Sequence, residues 1–164
     1  MNPSRCLAVA AAALALVACN PFRSPFKQKP VVEVSTDANA NARWNGTLAS
    51  PTNLVGAVQM KGSATMTPGS NSGNTYVRVN LSNAAPGGIH PWQLHRGQCG
   101  ADEGVFGPAE AYPALTVDDQ GRASSSATVP LVMPTEGLYY VSVGASAANV
   151  ETIVACGNLA PPAR

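Results

Sequence analysis

Residues 88–99 read GIHPWQLHRGQC, and this segment decides how the fold is interpreted. Successive side chains of a β-strand point to opposite faces. Trp92 and Leu94 therefore share one face of the predicted strand, while Gln93 and His95 share the other. The pattern predicts an apolar face toward a core, and two polar side chains about 7 Å apart on the opposite face.

Apolar and polar residues also alternate in several other short segments of the chain. The clearest is residues 75–82, in which Val77, Val79 and Leu81 alternate with polar residues. The remaining segments are residues 55–67, 123–131, 139–144 and 153–159. Stretches rich in Gly, Pro, Asn or Asp separate them, at residues 68–74, 85–88, 118–121 and 134–137. Short alternating strands with frequent turns predict an all-β sandwich or barrel.

Proline places a further constraint on this prediction. Pro130 falls within an alternating segment but has no N–H to donate to a central ladder, so we expect it at a sheet edge, a bulge or a strand end. No segment of the mature chain has the period of an amphipathic helix.

The N-terminus has the pattern of a bacterial lipoprotein signal. Arg5 supplies positive charge, and the apolar run Cys6–Ala18 is too short to span a bilayer as a mature helix. The run ends in Leu16-Val17-Ala18-Cys19, which matches the lipobox, in which the cysteine is lipidated. We therefore predict a signal peptide at residues 1–18 and a lipid anchor on Cys19. An ordinary secretory signal followed by an unrelated cysteine is the alternative.

The anchor and a flexible linker are predicted to occupy residues 19–41, which are rich in proline at first and polar later. Residues 42–164 are enough for one domain with one core. Asn20 is not the aspartate that retains many lipoproteins in the inner membrane. These features favour a lipid-anchored, periplasm-facing protein of the bacterial cell envelope, at the outer membrane.

Cysteine usage agrees with an oxidising compartment. The chain has Cys at four positions. Cys6 is lost with the signal peptide and Cys19 carries lipid, so Cys99 and Cys156 remain as an even pair, for which a disulfide is the default. The rival interpretation, a thiolate metal site, needs further soft ligands nearby, and the sequence does not offer them.

Charge and polar motifs exclude several function classes. The formal net charge is +1, and no basic stripe with interleaved aromatic residues appears, which argues against nucleic acid as a partner. The adjacent acidic pairs at residues 102–103 and 118–119 are expected to be solvated turn residues. The serines at residues 124–126 have no candidate base beside them, so the sequence does not support a serine triad.

Over residues 42–160 the order of elements resembles the copper/zinc superoxide dismutase superfamily. The resemblance rests on the Gly-x-His segment around His90, on His95, on the turn at residues 118–121 and on Ala155-Cys156-Gly157. It implies a Greek-key β-sandwich or flattened barrel. It also implies a disulfide between the positions that Cys99 and Cys156 occupy.

The metal-ligand positions of that family are mostly changed. His90 falls on a histidine that is not a ligand in the family, Gln93 falls on the first copper ligand, and His95 retains the second. The loop that supplies the bridging and zinc ligands corresponds to residues 96–113, which contain no histidine. The last copper histidine corresponds to Gly144, and the guiding arginine of the family corresponds to Ile153.

The resemblance therefore implies a fold without most of its metal chemistry. The chain has His at two positions, and His95 is the sole retained ligand position, with His90 a weak second candidate. We expect no catalytic residues, no resident cofactor, and a non-catalytic binding or structural role with an unidentified protein partner. The alternative is a divergent superoxide dismutase or a copper-binding protein.

Overall fold

The computed structural model describes residues 42–54 and 59–162, and these residues form an all-β domain. Within them, the only helical element is a single 3-10 turn at Ala109–Ala111. The strands are β1 (Trp44–Ala49), β2 (Lys61–Pro68), β3 (Thr75–Ser82), β4 (Ile89–His90), β5 (Trp92–Gln98), β6 (Ala101–Val105), β7 (Leu115–Thr116), β8 (Ala123–Val129), β9 (Tyr139–Ser146) and β10 (Asn149–Leu159). The all-β prediction is confirmed.

Eight of these strands form one curled antiparallel sheet that makes a half-barrel. Its strand order is β6-β5-β9-β10-β1-β2-β3-β8, and β4 pairs with β7 in a separate two-stranded ribbon. β1, β2 and β3 follow one another as hairpins, whereas β5–β9, β1–β10 and β3–β8 are neighbours that are distant in sequence. Hairpin pairs of consecutive strands are therefore joined into one sheet by three pairings between strands that are distant in sequence.

The core lies on the inner face of the curled sheet, as the alternation predicts. Val77 and Val79 of β3 are fully buried, and so are Leu94 of β5 and Val141 and Val143 of β9. Burying a side chain of this kind contributes about 1.5–3 kcal/mol relative to leaving it in water. β3 shows the alternation most clearly, with one row of side chains in the core and the other row on the outer face.

The alternating segment that starts at residue 123 ends earlier than the sequence pattern does. β8 stops at Val129, and Leu131 is 39% exposed rather than buried. Pro130 follows the last residue of the strand, and β8 is at the edge of the sheet. The expectation for Pro130 is confirmed, because a residue without an N–H cannot continue the ladder.

The connection from β6 to β8 covers the edge strand β8. Ser125 Oγ donates a hydrogen bond to the Pro113 carbonyl at 2.7 Å. Gly107 has φ +89°, and a Cβ there would lie 2.3 Å from Val129 Cγ1. Ser125 and Val129 belong to the same row of β8 side chains as the buried Ala127, so the loop packs over the inner face of this edge strand.

Several expectations fall on residues that the structure does not describe. These are the predicted signal peptide (1–18), the predicted lipid anchor on Cys19 and the predicted linker (19–41). Residues 55–58, at the start of the alternating segment 55–67, also lie outside the described residues. In the described ranges, no helix has the length and apolar character needed to cross a membrane.

Candidate functional site

A disulfide joins the turn between β5 and β6 to the strand β10. Cys99 and Cys156 are bonded, with their Cα atoms 6.1 Å apart, which confirms the predicted pairing. The Cys99 N–H also donates to Asn158 Oδ1 at 2.8 Å. The covalent bond and the hydrogen bond together fix the start of β6 above the outer face of the sheet.

One row of side chains crosses the outer face beside this disulfide. The ladder pairs Gln93 with Ser142, Ser142 with Cys156, and Cys156 with Ala49. Directly paired residues of antiparallel strands point to the same face. The row forms the floor of an open groove of about 890 Å³.

The walls of the groove are partly apolar and partly acidic. Val105, Val150 and Ile153 supply apolar surface, and Asp102 and Glu151 supply carboxylates. Among the described residues that line the groove there is no lysine or arginine. A cavity of this size with a few polar groups is typical of a small-molecule or peptide site.

His95 has hydrogen-bond partners on both ring nitrogens at the floor of this groove. Its Nδ1 lies 2.9 Å from Asp102 Oδ1, and its Nε2 lies 3.0 Å from Ser142 Oγ. His95 is 9% exposed and Ser142 is 6% exposed, whereas the side chain of Asp102 is 54% exposed. The three side chains form one continuous hydrogen-bond chain, which runs from the Asp102 carboxylate through the His95 imidazole to the Ser142 hydroxyl.

The Asp102 carboxylate, at one end of this hydrogen-bond chain, is ionised at neutral pH. The Gly104 N–H donates to Asp102 Oδ1 at 2.8 Å and lowers the pKa of Asp102, and the hydrogen bond and charge of His95 lower it further. Burial opposes these effects but does not overcome them. An ionised carboxylate can only accept, so the proton in the Asp102–His95 bond belongs to His95 Nδ1.

The imidazole of His95 is held from one side by an aromatic ring. Tyr140 pairs with His95 in the β5–β9 ladder, and the two rings stack with centroids 5.0 Å apart and planes 27° apart. Burial and the neighbouring Asp102 carboxylate raise the pKa of Tyr140 to about 12, so its phenol is neutral. The ring therefore restricts the orientation of the imidazole without adding charge.

His90, the second histidine, lies apart from this groove. Its Nδ1 donates to the Gly144 carbonyl at 3.1 Å, and its Nε2 is buried without a hydrogen-bond partner in the part of the chain that the structure describes. His90 does not line the groove that holds His95. The structure thus gives the two candidate ligands separate environments.

Asp102 and Ser142 have contacts in the structure that their sequence patterns do not predict. The sequence predicts a solvated turn at residues 102–103, but both residues belong to β6, and Asp102 hydrogen-bonds to His95. The alternation of residues 139–144 marks Ser142 only as a polar residue, yet its hydroxyl hydrogen-bonds to His95. The register that pairs β5 with β9 is the signal that would have revealed Ser142, and a single sequence does not show it.

Residues 42–54 and 59–162 contain no group of three or more His, Cys, Asp or Glu side chains placed to hold a metal ion. Gln93 and His95 do share the groove, as their alternation predicts, and Ile153 lines it too. Neither the protein-family models nor the curated proteins contain a match to this chain.

Proposed function

We propose that this chain is a lipid-anchored cell-envelope protein whose domain binds a ligand or protein partner in the His95 groove and does not dismutate superoxide. The observation that carries the proposal is that both ring nitrogens of His95 have hydrogen-bond partners. Asp102 and Ser142 already bond to both of its ring nitrogens. His95, the sole ligand position that matches the dismutase pattern, thus makes hydrogen bonds within the protein at both nitrogens.

The strand order supports the finer proposal of a Greek-key fold like that of superoxide dismutase. In a Greek key, three consecutive strands are followed by a fourth that returns beside the first. Here β9 returns beside β5, and β6 and β8 are the two edges of the curled sheet. Bringing those edges together would complete a key of β9, β5, β6 and β8 within a flattened barrel.

The side chains present do not fit the copper site that this fold family implies. Gln93 offers a neutral amide, and Gly144 offers no side chain. A metal at His95 Nε2 would have to displace the Ser142 hydroxyl. Stable copper binding needs several converging imidazole or thiolate ligands, and this donor set does not provide them.

The charges in the groove also oppose superoxide as a substrate. Cationic side chains at a site mouth attract anions and raise their association rates. The charged side chains among the described lining residues are Asp102 and Glu151, both acidic, and Ile153 stands where the dismutase pattern has its arginine. This groove favours a neutral or cationic ligand.

Copper loading tests this proposal directly. Purified protein with an intact disulfide is incubated with excess cupric salt, desalted, and assayed for bound copper and visible d–d absorption. We expect well under one copper per chain, and no difference between the wild type and His95→Ala. His90→Ala serves as the matched control, because His90 lies outside the groove.

One copper per chain, lost in His95→Ala and retained in His90→Ala, would overturn the proposal. Superoxide dismutation by such a sample would establish the alternative function, a divergent dismutase. Pull-down from envelope extracts, compared with a Gln93→Arg variant that fills the groove, tests the binding role. Capture of the same proteins by both forms would show that the groove is not the binding surface.

A further inference from the structure

The hydrogen-bond chain Asp102–His95–Ser142 connects, in that order, a group that can position a base, the base itself and a nucleophile. Because the Asp102 carboxylate accepts from Nδ1, neutral His95 presents a lone pair at Nε2. The Ser142 hydroxyl, 3.0 Å away, is then the donor to Nε2. An imidazole in this tautomer, fixed by a carboxylate, is the arrangement that activates a serine hydroxyl.

The position of Ser142 in the sheet makes this arrangement rigid. Ser142 pairs with Gln93 on one side and with Cys156 on the other, at the centre of three adjacent strands. The disulfide at Cys156 ties the start of β6 to the same row. The nucleophile and base are thus held by strands rather than by loops, which favours precise geometry.

The groove supplies the other parts that acyl transfer requires. Ser142 and His95 line a cavity of about 890 Å³, so a substrate can reach them. Gln93 lies directly opposite Ser142 and lines the same cavity, so its amide N–H can donate to a developing oxyanion. Val150 and Ile153 provide apolar surface for a short acyl chain.

We propose that Ser142 is a nucleophile for uncharged carboxylic esters with short acyl chains, with His95 as its general base and Asp102 as the residue that positions the imidazole. This inference goes beyond the proposed binding function but uses the same groove. Ser142 and His95 are the catalytic residues.

The reaction proceeds in two balanced steps. Ser142 Oγ forms a bond to the ester carbonyl carbon as its proton passes to His95 Nε2. The bond to the alcohol oxygen then breaks, and the alcohol leaves with that proton. In the second step His95 takes a proton from water, the hydroxide oxygen attacks the acyl-serine, and Ser142 Oγ recovers the proton as the carboxylic acid leaves.

Covalent labelling with an alkyl fluorophosphonate tests the assignment. The label forms an Oγ–phosphorus bond, fluoride leaves, and the hydroxyl proton passes to His95. We expect peptide mass spectrometry to place the label on Ser142. Ser142→Ala should lose it, while Ser126→Ala, a control on the exposed face of β8, should retain it.

The kinetics of labelling distinguish a catalytic role of His95 and Asp102 from a purely structural one. His95→Gln should lower the maximal labelling rate by about 100-fold, the scale of general-base catalysis, and leave the half-saturating concentration within about twofold. Asp102→Asn should lower the same rate by about tenfold, a smaller loss since Asp102 is half-exposed. Hydrolysis of p-nitrophenyl butyrate should fall in the same order across these variants.

Certain results would overturn the inference. One is labelling that is absent from Ser142 in folded, disulfide-bonded protein, and another is labelling that proceeds equally fast in His95→Gln. If His95→Gln does not fold, Asp102→Asn decides, because its substitution lies at the surface. Stoichiometric copper uptake would instead contradict the proposed function, so the two failures are distinguishable.

Discussion

At the scale of single residues, His95 is defined by its partners rather than by its position on an outer face. A strand residue on that face is normally open to solvent, but the imidazole here lies between Asp102, Ser142 and the ring of Tyr140. Each contact restricts one property of His95: its tautomer, its acceptor nitrogen or its ring orientation. A histidine constrained in this way is poorly suited to rearrange around a metal ion.

The Asp102–His95 contact should make stability depend on pH in the acidic range. The pKa of Asp102 is lowered below its ordinary value of 3.8, so its stabilising effect is complete above that value and is lost as the pH falls through the lower, folded-state pKa. We expect Asp102→Asn to lower Tm by about 1–4 °C near pH 6, the scale of a single interaction made by an exposed carboxylate.

The difference between the two proteins should shrink as the pH falls below 3.8, because wild-type Asp102 then becomes protonated. Differential scanning fluorimetry from pH 6 to about pH 2.5 measures it. Glu103→Gln is the matched control on the same strand. A Tm difference that stays constant across the whole range would contradict the assignment.

At the scale of elements, the site depends on how the β5–β6 turn is held over the sheet. Gly97 adopts φ +92°, and a Cβ there would lie 2.3 Å from the Ala101 carbonyl oxygen. This backbone conformation coincides with a break in the β5–β6 register between His95 and Gly97. The bulge and the disulfide together set where β6 begins, and hence where Asp102 lies.

Removing the disulfide should destabilise the domain strongly. The bonded cysteines are 57 residues apart, and closing a loop of that length contributes about 4 kcal/mol by reducing the entropy of the unfolded chain. We expect the double variant Cys99→Ala/Cys156→Ala to lose about this much free energy of unfolding in urea titrations.

Asn158→Ala separates the covalent bond from the neighbouring hydrogen bond. It removes only the acceptor of the Cys99 N–H and should cost about 1 kcal/mol. If the double variant lost no more than Asn158→Ala, the disulfide would not be what stabilises this turn.

At the scale of the whole molecule, the curled sheet encloses one core that draws on nearly every strand. The two tryptophans lie in different parts of the chain, Trp44 in β1 and Trp92 in β5, and are 1% and 2% exposed. Trp92 Nε1 donates to the Pro113 carbonyl at 2.7 Å, which satisfies its polar group. The two rings therefore report on two separate strands of the sheet, with β9 and β10 between them.

Tryptophan fluorescence therefore reports on global folding. We expect the native protein to emit at short wavelength with little quenching by iodide, since both rings are buried. In urea the emission should shift to longer wavelength and become quenched in a single transition. The Trp44→Phe and Trp92→Phe variants should each retain a blue-shifted emission. Native emission quenched as strongly as in urea would contradict the described core.

The all-β class, the inward-facing rows of β3, β5 and β9 and the cysteine pair could be predicted from the sequence. The reason is that side-chain alternation is a local property of a strand, and one cysteine pairing is left once Cys6 and Cys19 are assigned to the predicted signal peptide and lipid anchor. The Asp102–His95–Ser142 chain could not be predicted, because its members come from three strands, and β9 lies far from the other two in sequence.

The sequence by itself determined which side chains exist at the site: two histidines in the whole chain, with glutamine at position 93, glycine at position 144 and isoleucine at position 153. Tertiary structure alone decided which side chains the His95 imidazole contacts. Strand register is set by the packing of the whole sheet, and a shift of one residue would turn Ser142 away from His95.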